Sequence, residues 1–234
     1  MPTKFNSSVI LRVELLGIEP LIWRRVRVPA AMTLRELHGV LQIAMGWQDC
    51  HLHEFRVGDV LVGIVDRPEL DTPENMEDER NWTVAKIVAS GAADFEYVYD
   101  FGDHWMHRVI AEPATRSRIP GSGVICLAGE GACPPEDMGG PPGYAQFLEA
   151  LADASHSEHK TYVGCYTDVA TESARSSDDS GRKGETTLLP FRGRARARTA
   201  ERPDPSKNIG GVWDVKGFDA NRVNRELMKV FGAN

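Results

Sequence analysis

Apolar residues alternate with polar ones from Val9 through Leu11 and Val13 to Leu15, with Arg12 and Glu14 between them, the period of a strand with one buried face. Gly17 to Pro20 supplies turn chemistry, and Ile22 to Val28 reads as the returning strand, stopped by Pro29. Thr33-Leu-Arg-Glu36 is a capping box, in which the Thr hydroxyl and the Glu carboxylate satisfy free amides at a helix start. Leu34, Leu37, Leu41, Ala44 and Met45 then recur at helical spacing up to Gly46, where a left-handed C-cap forms most easily, so a helix is expected over Leu34 to Met45. His51 to Val57 and Val60 to Val65 read as a second hairpin about Gly58-Asp59. In a third, Phe95, Tyr97 and Tyr99 are answered by Trp105, His107 and Val109. Val84 to Val88 admits a short helix or a strand.

The second half reads differently. Tyr144, Phe147, Leu148 and Leu151 follow helical spacing to about Ala154, and Asp219 caps a last helix whose expected stripe is Val223, Leu227, Val230 and Phe231, ended by Gly232. Asp66 to Arg80 holds seven acidic residues among fifteen and reads as a solvated loop. Thr161 to Asn208 is dominated by Ser, Thr, Gly, Asp and Arg, a composition too poor in apolar residues to order itself. It is expected to be a mobile insertion. The class that results is α+β, with antiparallel hairpins packed against about three helices and a disordered insertion before the last.

Composition narrows the partners. With 41% hydrophobic and 26% charged residues over 234 positions the chain can bury a sizeable core, and a net charge of -7 argues against a general nucleic-acid coat. A local exception is the run Arg192, Arg194, Arg196 and Arg198, which offers a weak phosphate-binding arm. No apolar run approaches a membrane span and no leader pattern opens the chain, so the expected address is the cytoplasm, with no membrane partner. Cys50, Cys126, Cys133 and Cys165 form no C-x-x-C pair and are expected as thiols in a reducing compartment.

Candidate chemistry gathers at the hairpins. His51 and His53, two apart on one expected strand, share a face, and His107 with Asp100, Asp103 and His104 converges on them if the ribbons pack together. His51, His53, Asp103 and His107 are therefore the metal candidates, a nitrogen and oxygen set suited to zinc or manganese. With an open coordination position such an ion would generate hydroxide, giving the alternative reading of a metal-dependent hydrolase, on phosphodiesters for example. The competing reading has these histidines holding backbone carbonyls and the aspartates capping turns, as His156 and His159 would at a helix end. Around Cys133-Pro-Pro-Glu136-Asp137 the Gly-Pro loop reads as a rigid clamp, and Arg24 and Arg25 are expected to latch onto Glu136 and Asp137 or to stack on Trp23. These four charged residues are the other ligand-binding candidates. Cys126 and Cys133 lack two further thiolates for a zinc site.

The ordered motifs Ile22-Trp-Arg-Arg25, Leu37-His38, Met45-Gly-Trp47, His51-Leu-His-Glu-Phe55, Tyr99-Asp-Phe-Gly-Asp-His-Trp105 and Ala132-Cys-Pro-Pro-Glu-Asp137, with Gly139-Gly140 and Gly143-Tyr144, resemble the Ri-plasmid open-reading-frame-three-like family. The resemblance runs over residues 9–160 and resumes at Gly217-Phe-Asp219 with Asn224. It implies a compact α+β domain encoded on plasmids, transposon-like elements and chromosomes, here residues 5–160 with 209–232, interrupted by 161–208. Met138 stands where many members carry a further cysteine, which weakens a thiolate site. The resolvase-like label given to some members finds no chemistry in this chain. A serine recombinase needs a hydroxyl nucleophile with arginines on the scissile phosphate, and no arginine-rich helix follows Ser7 and Ser8. The function expected is a cytoplasmic accessory or interaction domain with a protein partner, in mobile-element gene sets, rather than an enzyme.

Overall fold

The first hairpin lies inside the sheet, covered on both sides by other strands, and its first strand alternates cleanly between buried and half-buried positions. In the computed structural model, which describes residues 8–65, 73–92, 94–112, 123–163 and 217–232, β1 (Ser8–Leu15) and β2 (Ile22–Pro29) pair antiparallel from Ser8 against Pro29 to Leu15 against Ile22. Leu11, Val13 and Leu15 are wholly buried. β3 (His53–Val57) and β4 (Val60–Gly63) form the second hairpin, and β6 (Asp94–Tyr99) and β7 (Trp105–Ala111) the third, in the expected register of Tyr99 against Trp105, Tyr97 against His107 and Phe95 against Val109. With β5 (Glu77–Asp78) and β8 (Ile125–Glu130) the strands make one eight-stranded sheet in the order β5-β4-β3-β6-β7-β1-β2-β8. All its pairs are antiparallel except β4 with β5. The architecture is α+β, as the hydrophobic pattern predicts.

Helix α1 (Leu34–Met45) has the predicted limits, with the Thr33 and Glu36 side chains each accepting from the other's backbone amide and Gly46 left-handed at φ 102°. Such a cap is worth about 1 kcal/mol. Burying Leu34, Leu37 and Leu41 completely contributes roughly 2 kcal/mol for each. The stripe therefore holds the helix, and the box determines where it starts. Val84–Ala89 is a helix, α2, capped by the Thr83 hydroxyl. The segment before it is stitched to the entrance of α1, Leu34 N donating to Trp82 O and Val84 N to Met32 O.

Two elements depart from the sequence reading. The described part of the expected solvated loop, residues 73–80, is not uniformly solvated: Glu79 is 1% exposed, its carboxylate bonded to His53 and Arg35. In the last helix, α4 (Ala220–Phe231), Leu227 is buried but Val230 is exposed, because the helix is covered on a narrower face than its apolar stripe. α4 is fastened by Asn224, whose side chain accepts from Cys126 N at 2.7 Å and donates to Cys126 O at 2.9 Å, so one carboxamide occupies both backbone groups of a residue on edge strand β8. The expected 161–208 insertion, apart from residues 161–163, lies outside the described residues, and with it Arg192, Arg194, Arg196 and Arg198. No helix among the described residues is long and apolar enough to cross a membrane.

The backbone divides into two compact units, Met1–Pro142 with Val215–Asn234, and Gly143–Asp214. Helix α3 (Gly140–Ala152) starts on Gly140 and carries Pro141 and Pro142 in its first turn, where missing amides cost nothing. Within the second unit Phe147 stacks on Tyr144 and meets Tyr162 edge-on, and His159 Nδ1 takes Ala150 O at 2.7 Å.

Arg24 of β2 is 2% exposed and finds backbone carbonyls instead of Glu136 and Asp137, which corrects the expected latch. Its Nε donates to Ala44 O, Nη1 to Trp23 O and Glu130 O, and Nη2 to Gly131 O, all at 2.8–2.9 Å. The guanidinium also lies over the Phe218 ring at 4.3 Å. Gly129 makes room for this, since a Cβ there would come within 2.7 Å of Phe218 and 2.9 Å of Arg24. Arg25 turns to Glu112 in a two-pronged pair at 2.7 Å, and the cation over Trp23 is Arg12. Replacing Arg24 by Met is expected to lower unfolding free energy in urea by at least about 3 kcal/mol, because four carbonyls lose their donor in a dry site. Arg24→Lys should recover little, since an ammonium cannot span four carbonyls. A loss under about 0.5 kcal/mol in Arg24→Met would contradict this role.

Candidate metal centre

Three loops meet at one end of the third hairpin, and each turns on a residue of positive φ. Asp49 (φ 54°), Asp100 (φ 57°), His104 (φ 55°) and Asp137 (φ 55°) are the non-glycine residues in that region among those described, and all four lie in these loops. Asp and His tolerate the left-handed basin better than most residues, yet four such positions side by side store strain of the kind that gathers at functional sites.

The first loop is held by a closed ring of hydrogen bonds. Asp49 N donates to Gln42 Oε1, Gln42 Nε2 to Tyr97 Oη, the Tyr97 hydroxyl to His38 Nδ1, and His38 Nε2–H to Asp49 Oδ1, at 2.7–3.0 Å throughout. These partners require the Nε2–H tautomer of His38. Burial raises the Tyr97 hydroxyl well above its ordinary value and so keeps it a donor. Burial, with the neighbouring His53 adding to it, lowers His38 to about 4. The His53 ring stacks on His38 with centroids 3.5 Å apart, and its Nε2 takes Glu79 Oε2 at 2.7 Å.

His51 follows this anchored turn, outside β3, whose first residue is His53. The expected shared face for the two histidines therefore does not form. His51 Nε2 is buried and makes no hydrogen bond, although three carboxylates face it: Asp137 Oδ1 at 3.2 Å, Asp100 Oδ2 at 3.5 Å and Glu136 Oε2 at 3.8 Å. Two of these are aimed from behind. Asp100 Oδ1 accepts from Gly102 N at 2.9 Å and Asp103 N at 3.3 Å, which turns Oδ2 toward His51. Glu136 Oε1 accepts from Gln48 N at 2.8 Å and the Tyr99 hydroxyl at 3.1 Å, leaving Oε2 on the same side. Burial pushes the Glu136 carboxyl up, as an acid wedged beside other acids in a half-dry site must be. Among the described residues, the ligand atoms of His51, Asp100 and Asp137 lie within 4.8 Å of one another, as do those of Cys50, His51 and Glu136. Orienting hydrogen bonds behind a carboxylate are what a metal's outer shell requires.

Of the expected metal candidates, His51 lies in this cluster and the other three have other partners. Asp103 Oδ2 accepts from Gly139 N at 2.9 Å, tying the 100–104 turn to the loop that carries Asp137. His107 is buried with Nδ1 on Tyr97 O at 3.1 Å and Nε2 without a partner, and burial lowers it to about 4. Glu136 and Asp137 belong to the cluster, as acids facing an imidazole and not as partners of Arg24 and Arg25. Cys50, Tyr99 and Asp49 also belong to this site or to its support. Their signal is weak: an Asp three residues after a helix cap is an ordinary turn residue until its φ is known. Cys50, Cys126 and Cys133 are free thiols, and burial pushes Cys133 up.

Comparisons with known proteins agree on kinship. The family model described as Plasmid pRiA4b ORF-3-like protein matches residues 7–173. Uncharacterized protein y4hQ of Sinorhizobium fredii is 44% identical over 153 residues, 65% of this chain and 77% of that protein. The crystal structure of a protein of unknown function, MM3350 from Methanosarcina mazei Go1, is similar at a TM-score of 0.58 and 32% identity, over 67% of this chain and 87% of that one.

Two predictions test the geometry. A Cβ at Gly140 (φ 67°) would come within 2.5 Å of the Asp103 carbonyl oxygen, a backbone atom that cannot step aside. Gly140→Ala should therefore cost about 2 kcal/mol or more in denaturation, whereas Ala at Gly58, where the added carbon meets nothing, should cost only its backbone strain of about 1 kcal/mol. Equal losses would show that the turn and the loop are not in register. The second concerns pH. His38 and His107 have folded values near 4, below the unfolded value near 6.5, so the unfolded chain binds protons first as pH falls. Their contribution is complete above pH ~6.5 and is lost as pH drops toward ~4, on the order of 3 kcal/mol for each. Urea midpoints should fall between pH 7.5 and 5, and His107→Gln should flatten that slope; a midpoint independent of pH would contradict neutral burial.

Proposed function

The chain belongs to the family of Plasmid pRiA4b ORF-3-like proteins, and from that premise we propose that it is a cytoplasmic accessory domain whose working centre is a divalent-cation site on His51, Asp100 and Asp137. The observation that carries this reading is the buried, unbonded Nε2 of His51 facing three carboxylate oxygens at 3.2–3.8 Å. Three acceptors around one imidazole nitrogen leave negative charge uncompensated in a partly dry place, and a cation at their centre removes that penalty. One nitrogen with carboxylate oxygens suits zinc or manganese. The reading is one of binding. An ion here would order the 46–52, 100–104 and 131–139 loops into one surface for a protein partner, without requiring a nucleophile.

Titration calorimetry of the intact chain with zinc and with manganese at neutral pH is the direct test. Wild type should bind one ion, and His51→Ala should lower affinity for both by at least about tenfold with an unchanged circular dichroism spectrum. The proposal fails if wild type takes up neither ion, or if His51→Ala binds as wild type does.

A further inference from the structure

Around His51 the structure assembles two donor sets, not one. His51 with Asp100 and Asp137 offers nitrogen and hard oxygens, while His51 with Cys50 and Glu136 offers nitrogen, oxygen and sulfur. Both sets draw on the one imidazole of His51. Resting on the cation site proposed above, we infer that Cys50 and Glu136 form an alternative thiolate-containing site that captures zinc, while the carboxylate set takes manganese.

Tyr99 builds the second set. Its hydroxyl accepts from Cys50 N at 3.2 Å, lies 3.7 Å from Cys50 Sγ, and donates to Glu136 at 3.1 and 3.3 Å. It is thus a positioning residue that bridges the sulfur and oxygen donors and holds them on one side of His51. The ring is itself held between Trp47, at 4.8 Å, and His51, edge-on at 5.8 Å, so the bridge does not wander. Cys50 is exposed, which leaves its sulfur open to an incoming ion without disturbing the core. Thiolate selects zinc and cobalt over manganese, whereas an aspartate pair suits manganese. When zinc binds this set, a zinc–sulfur bond replaces the sulfur–hydrogen bond and the proton passes to solvent, with no change of oxidation state.

The test uses the intact chain, with cobalt(II) as a spectroscopic stand-in for zinc. Wild type should show a sulfur-to-cobalt charge-transfer band, and Cys50→Ser should abolish it and weaken zinc at least about tenfold while leaving manganese within about twofold. Asp100→Asn should do the reverse, weakening manganese and preserving the band. Tyr99→Phe should dim the band and weaken zinc without moving manganese, a split that a merely structural tyrosine would not produce. A cobalt spectrum without the band, or zinc binding indifferent to Cys50→Ser, overturns the second set while the carboxylate site stands. Absence of binding by wild type to any of the three ions overturns both readings.

Discussion

The placement of Arg24 is the constraint on which the candidate site depends. A guanidinium with no carboxylate beside it has been taken out of water and satisfied by four backbone carbonyls, three of them at the ends of elements: Ala44 in the last turn of α1, and Glu130 with Gly131 where β8 finishes. Carbonyls at a helix C-terminus carry partial negative charge, so the cation suits that position. The loop that follows α1 carries His51, and the loop that follows β8 carries Glu136 and Asp137. One buried cation thus fixes the starting points of two segments that meet again at the cluster, and Trp47 Nε1 on Pro134 O and Gln48 N on Glu136 join them along the way.

From those starting points the loops are aimed by short polar contacts, beside the buried Trp47 and Met138. The ring through His38, Asp49, Gln42 and Tyr97 sets the first loop, and Asp103 with Gly140 sets the distance between the other two. His38, Gln42 and Tyr97 of the ring are buried, so losing one of them leaves its neighbours unsatisfied. The left-handed turns at Asp49, Asp100, His104 and Asp137 are maintained against their own strain by this surrounding order.

Much of the scaffold was legible in the sequence because it follows from period and capping. The α1 limits, the three hairpins and the Tyr99–Trp105 register depend on local rules acting over a few residues. Val230 was misread because helical periodicity reports which side is apolar but not how wide a partner covers it. The site was legible only in outline. Asp100 and His51 stood out as polar residues in loops, but which polar residues become neighbours depends on contacts spanning 26 to 107 positions, such as His53 to Glu79 and Arg24 to Gly131. No spacing rule encodes these. Pairing Arg24 with Glu136 and Asp137 was sound charge logic, but the available carbonyl cage offered the same compensation without burying a second ion.

Asn224 has a bearing on how the chain tolerates change in length. The side chain binds both backbone groups of Cys126, so α4 is hydrogen-bonded to the sheet edge by one side chain instead of along a ladder of successive residues. A ladder would demand that the polypeptide arrive in phase, and adding or removing one residue upstream would turn every following side chain over. A single carboxamide imposes no phase. The stretch leading into α4 is free to grow or shrink over evolutionary time, provided Phe218 still reaches Arg24 and Asn224 still reaches the rim of β8.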